Sequence, residues 1–159
     1  MSTHFVPRLV PHKAAPAAYK PLLDLQAYTD QCGLERSLLE LVKMRASQIN
    51  RCAFCLEMHS REARELGESE ARLYLLSAWR ESPLYSARER AALEWTEAVT
   101  LVSETEVPDE VYEIAKAEFS EEELVNLTVA IGMINMWNRL AISFRLVHPV
   151  TEDQKHKAA

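Results

Sequence analysis

From residue 16 onward the apolar positions of this chain recur at helical spacing, and nowhere do they alternate in a way that makes a defensible strand. Leu22, Leu23, Leu25 and Tyr28 mark a first helix from Pro16 to about Gln31, with Gly33 to break it. Pro21 is tolerated only near a first turn, so the regular part of that helix is expected to begin close to it. Leu34, Leu38, Leu41, Val42 and Ile49 trace one face of a second helix over 34–49, and Asn50-Arg51 reads as the turn that follows. A third helix runs from Cys52 to Leu66, stopped by Gly67, with Cys55, Leu56, His59, Ala63 and Leu66 on its inward face. Glu70 to Trp79 forms a fourth, ended before Ser82-Pro83. Two capping boxes come next. Ser86 with Glu89 opens a helix to about Val102, and Ser120 with Glu123 opens the longest one, to about Val147, closed by Pro149. Between them Pro108 starts a short helix over 109–118.

The longest helix is apolar nearly all round between Leu124 and Phe144, which predicts the buried central element. The reading is therefore all-α, a single-domain bundle of about six to seven helices over residues 16–150. Residues 1–15, with Pro7 and Pro11 and no periodicity, read as an extended arm. Residues 151–159 read as a polar, frayed tail.

Composition narrows this further. A length of 159 residues suits one core and leaves little room for a second domain. Only 3 glycines occur, which fits long helices better than a fold of many tight turns. The formal net charge is −6 with no basic run, so nucleic acid and anionic membrane are not expected partners. No secretory signal is visible, and the most apolar run, Leu127 to Trp137, is too short to span a bilayer. A cytoplasmic location is expected. Structural disulfides are rare there, so a CxxC reads as redox or metal chemistry before it reads as a staple.

That motif is Cys52-Ala53-Phe54-Cys55, with His59 four residues later. Residues at i, i+3 on a helix have Cβ atoms roughly 5–6 Å apart. A disulfide wants about 3.8 Å, so closure needs a small adjustment that a first helical turn can give. The helix N-terminus favours thiolate over thiol, and a thiolate is the nucleophile and leaving group that redox cycling needs. His59 shares a face with Cys55 and can pair with its thiolate or pass a proton to a leaving alkoxide. A histidine alone on an apolar face is more often a satisfied core residue; one turn after a CxxC it reads as chemistry. The residues thus point to a small helical thiol peroxidase or disulfide reductase. A structural zinc site needs four ligands, of which Cys52, Cys55 and His59 make three and Cys32 could be the fourth. No second CxxC is present, and neither a metal nor a cofactor is expected. Two inert, buried cysteines are the plainest alternative. Cys32 reads as structural. Asn135, Asn138 and Arg139 on the long helix read as a polar knot fixing helix register, or less simply as a wall of the site.

The stretch from Ser47 to His59 resembles the alkylhydroperoxidase AhpD family, within the carboxymuconolactone decarboxylase superfamily. Its pattern is a glutamate, then CxxCxxxH twelve residues on, and Glu40 stands at that position before Cys52. The resemblance extends to Glu89–Glu97 and to the helix with Trp137-Asn138-Arg139, covering roughly Pro16 to Val147. It implies a helical bundle assembled as a trimer or hexamer. It implies a peroxidase in which Cys55 attacks a small hydroperoxide and Cys52 resolves the sulfenic acid, with Glu40 and His59 as proton relay. It further implies a dithiol reductant, such as a lipoylated or thioredoxin-like protein. Phe54 stands where AhpD proper has a histidine, so the chain looks more like the shorter, single-domain relatives. On a helical wheel Glu40 lies opposite the Leu38–Val42–Ile49 face and, taken alone, reads as a solvated charge. It serves the site only if its own flank also packs inward or against another subunit. The remaining alternatives are a thiol redox sensor, a decarboxylase-type enzyme of the superfamily, and a structural helical oligomer.

Overall fold

The computed structural model describes residues 6–150. These form nine α-helices and one 3-10 segment: α1 (Pro11–Ala14), α2 (Pro16–Thr29), α3 (Arg36–Asn50), α4 (Ala53–Glu65), α5 (Glu70–Leu75), the 3-10 turn (Leu76–Ala78), α6 (Ala87–Thr100), α7 (Val102–Thr105), α8 (Asp109–Glu118) and α9 (Glu121–Phe144). No strand occurs among the described residues. The fold is all-α, as the periodicity predicts. The count exceeds expectation because α1 and α7 are single turns and the Glu70–Trp79 stretch divides into α5 and the 3-10 turn. The segment read as an extended arm contains α1, and Arg8 N–H donates to the Phe144 carbonyl at 2.9 Å. The tail expected over 151–159 lies outside the described residues.

Both capping boxes form. Ser86 N–H donates to Glu89 and Ser120 N–H to Glu123, each at 2.8 Å, and each serine returns the bond. The box glutamates also pair with arginines. Arg72 of α5 reaches Glu89, while Arg88 of α6 joins Glu123 at 2.7 Å to Glu35 at 3.0 Å. The helix starts are thus tied to their neighbours as well as capped.

Three expectations are corrected. Pro21 does not start α2 but sits inside it, where the exposed preceding turn leaves its orphaned carbonyl open to water. The long helix is not the buried centre. Val125, Met136 and Ile142 of α9 are 62 %, 43 % and 48 % exposed, so its apolar circumference outruns what one chain can cover. α9 also ends at Phe144, earlier than Val147, because Arg145 turns left-handed (φ 56) and sends Leu146 back onto the α3–α4 packing. The central element is α3, packed on α4, α6 and α9. Its buried residues run continuously from Leu38 to Met44 and include Glu40 and Lys43. Burial all round a helix with charges in it requires those charges to find each other. No helix among the described residues is long and apolar enough to cross a membrane.

Candidate active site

The site is built on the turn between α3 and α4. Arg51 adopts φ 59, ψ 41 and closes α3, and Cys52 N–H donates back to the Ser47 carbonyl at 3.0 Å. That reversal places Cys52 just outside α4, as its N-cap and not in its first turn. The Cys55 N–H points at Cys52 Sγ, 3.4 Å away. A sulfur thus does the work a serine hydroxyl does in an ordinary cap. Both thiols are free, each 1 % exposed, and pack on Ala46 of α3 and on Ile134 and Ala141 of α9.

Asn138 sits on the same face of α9, fully buried. It donates to Ser47 Oγ at 3.0 Å and accepts from Asn50 Nδ2 at 2.8 Å; Asn50 also donates to Asn135 at 2.9 Å. The polar knot read from sequence therefore exists. Its Asn138 amide favours the ionised form of both thiols from behind, but Asn135, Asn138 and Arg139 do not line the cavity that Cys55 faces. The thiol pair shares one proton. Cys52 is lowered to about 7, first by the hydrogen bond from the Cys55 thiol, then, against the cost of burial, by the Cys55 N–H, Asn138 and His59. Cys55 is pushed up, first because its proton is held by Cys52, then by burial and by the charge on Cys52. Ultraviolet absorbance of thiolate, followed in a Cys32→Ser background, is expected to show one of the two thiols ionising at about pH 7. The other stays protonated well into the alkaline range.

Glu40 is 4 % exposed, not solvated. Its flank packs inward within the single chain, which brings α3 against α4 and sets Glu40 Oε2 2.8 Å from His59 Nδ1. With the carboxylate ionised, Nδ1 carries the proton and donates. Glu62 Oε2 lies 3.4 Å from the same nitrogen. On the other side Lys43 Nζ is 2.9 Å from Glu40 Oε1 and 3.2 Å from Asp30 Oδ1. Burial would raise the Glu40 pKa, but the His59 hydrogen bond and charge, with Lys43 behind them, hold it below the usual carboxylate range. Burial would lower His59, and its bonds to Glu40 and Glu62 raise it instead.

A cavity of about 450 Å³ opens on this array. Cys55, His59, Glu40, Glu62 and Lys43 line one side; Tyr19, Leu23, Phe54, Met58, Trp137 and Leu146 line the apolar side. Cys52 is not among the lining residues. α2 supplies the roof: Tyr19 meets Trp137 edge-on at 5.2 Å, and Trp137 Nε1 donates to Gln26 at 3.0 Å. Cys32 stands apart, its thiol bonded to the Thr29 carbonyl. Among the described residues the thiols join no group of three metal-ligating side chains; Glu40, His59 and Glu62 form such a group. The Lys43 ammonium on the second oxygen of Glu40 works against a dication there.

The four residues singled out beforehand thus fall at one place: Cys55, His59 and Glu40 on the cavity, Cys52 directly behind. Lys43 and Glu62 escaped sequence reasoning. Their spacing, three residues after Glu40 and three after His59, fits a helical pair, but nothing in the pattern marks those pairs as buried.

A helical bundle with a CxxC at a helix N-terminus and a buried Glu–His pair defines the class, and the chain belongs to the carboxymuconolactone decarboxylase family, whose model matches residues 14–98. The uncharacterized protein YdfG of Bacillus subtilis is 44 % identical over 132 residues, 83 % of this chain and 90 % of that protein. A protein of unknown function from Agrobacterium tumefaciens, with a provisional assignment as the antioxidant defence protein AhpD, is 49 % identical. Its crystal structure superposes with a TM-score of 0.89, covering 92 % of this chain and all of that one. An alkylhydroperoxidase AhpD core protein from Ralstonia eutropha JMP134, described as an uncharacterized peroxidase-related protein, shares the fold with a TM-score of 0.73 at 19 % identity. That match covers 96 % of this chain and 80 % of the Ralstonia chain.

Proposed function

We propose that this protein is a thiol-dependent peroxidase that reduces an organic hydroperoxide through Cys55 and Cys52 in antioxidant defence. The observation that carries the reading is the cavity wall, where Cys55 lies beside a His59 oriented by buried Glu40. The provisional assignment of the Agrobacterium relative supports it. Ionisation points to Cys52 and access points to Cys55. Access decides, because a proton between two hydrogen-bonded sulfurs moves without displacing a heavy atom, whereas Cys52 has no opening to substrate.

In this scheme the shared proton passes to Cys52 and the Cys55 thiolate attacks the distal peroxide oxygen. The S–O bond forms, the O–O bond breaks, and the alkoxide takes a proton from His59 and leaves as alcohol. Cys52 then attacks the sulfenic acid; the S–S bond forms, the S–O bond breaks, and the hydroxide leaves as water with the Cys52 proton. Two electrons have passed to the peroxide, and a dithiol donor, lipoylated or thioredoxin-like, returns them. The exposed apolar stripe of α9, with Leu23 and Tyr28 of α2, supports an assembly of several copies, a trimer or hexamer.

The test is intact mass and free-thiol count after one equivalent of an organic hydroperoxide. Rapid loss of two thiols to a Cys52–Cys55 disulfide is expected. The low ionisation of Cys52 favours one second reading, a disulfide reductase. Thiols that survive the peroxide but exchange with a small disulfide would establish that reading instead.

A further inference from the structure

Among the described residues Lys43 is the one buried ammonium at the site, and the chemistry above makes no use of it. Its side chain is 9 % exposed, it lines the cavity, and it spends two of its three donors on Asp30 and Glu40. Burying an ammonium is costly, and a helix face could be closed by a methionine of similar volume at no such cost. The charge therefore needs a reason.

Geometry supplies one. Asp30, Lys43, Glu40 and His59 form a continuous chain from the end of α2, through α3, to α4, with contacts of 3.2, 2.9 and 2.8 Å. Glu40 uses its two oxygens separately, Oε1 for Lys43 and Oε2 for His59. Each oxygen of the carboxylate thus has its own buried partner, and His59 and Lys43 share one negative charge. Lys43 neutralises an anion that would otherwise hold the His59 proton too firmly.

We propose that Lys43 is a positioning residue of the thiol site, whose ammonium acts through Glu40, offsetting its charge so that His59 is left free to exchange its proton. The inference rests on the peroxidase reading for its purpose, though not for its test. The charged groups facing His59 are Glu40 and Lys43 from α3, Glu62 from its own helix, and Cys52 and Cys55 at the start of that helix. Asp30 of α2 and Arg36 of α3 lie on the same cavity. Of these, Lys43 is the cation already acting to lower His59. Its removal leaves Glu40 and Glu62 to bind the histidine proton unopposed.

The experiment is an NMR titration of the His59 ring in reduced protein, its signal assigned by loss in His59→Asn. In Lys43→Gln the midpoint is expected to rise by about one pH unit, and in Lys43→Arg to return to the wild-type value. The same displacement is expected in the pH profile of thiol alkylation. Lys43→Met, close in volume and apolar, replaces the glutamine variant if that one does not fold. A folded neutral variant with an unmoved midpoint overturns the inference, and so does a shift that arginine fails to reverse. Neither readout involves a peroxide. If wild type proves inert to hydroperoxides, the function proposed above falls while the role of Lys43 is still decided.

Discussion

Cys55→Ser is expected to abolish hydroperoxide reduction outright, while Cys52→Ser performs one turnover and stops. The difference comes from placement. Cys55 lines the cavity and Cys52 lies behind it, so only one sulfur meets the oxidant and only the other can complete the bridge. Serine ionises far too weakly at neutral pH to replace either thiolate. Stopped-flow peroxide consumption separates the two: no burst from Cys55→Ser, and a burst of one equivalent from Cys52→Ser, with a sulfenic acid at Cys55 trapped by dimedone and located by mass. A burst from Cys55→Ser, with the adduct at Cys52, would reverse the roles and make ionisation, not access, the deciding property.

Glu40→Ala is expected to damage the fold as well as the reaction. It strands the Lys43 ammonium and the His59 Nδ1–H, both buried, without their shared acceptor. Removing one partner of a buried ionic pair costs up to about 3–5 kcal/mol, and here Asp30 and Glu62 keep part of the charge compensated. Urea unfolding followed by circular dichroism should show the midpoint falling by the corresponding amount. Glu40→Gln retains the size and one acceptor oxygen, which serves Lys43 or His59 but not both, and should lose about half of that. An unchanged midpoint in the alanine variant would mean that water reaches Lys43 and His59 and that the array is not sealed. The same chain of charges that tunes the site is thus part of what holds α3 against α4.

Much of this architecture was legible. Helix starts were read from side chains that cap their own backbone, at Ser86–Glu89 and Ser120–Glu123, where the signal is local and the structure had no means to override it. The Cys52–Cys55–His59 spacing likewise carried its own chemistry. Legibility failed where a residue's meaning depended on its neighbour from another helix. Glu40, Lys43 and Ser47 gave α3 an apparent polar face, so the helix that is buried on every side looked amphipathic. α9, uniformly apolar, looked central although one flank faces outward. Hydrophobicity marks what could be buried; only packing reveals which polar groups are buried because they satisfy each other. Glu40 was found through family resemblance alone, and its partner Lys43 not at all.

Cys52 is both half of the thiol pair and the cap of α4. Oxidation to a disulfide would replace an anion at a helix N-terminus by a neutral sulfur, and α4 would lose that electrostatic support. The fold therefore favours the dithiol. A disulfide whose reduced form is stabilised in this way has a higher reduction potential than a structural bridge. In the proposed cycle a mild dithiol would then suffice as reductant, with the recovered helix cap contributing part of the driving force.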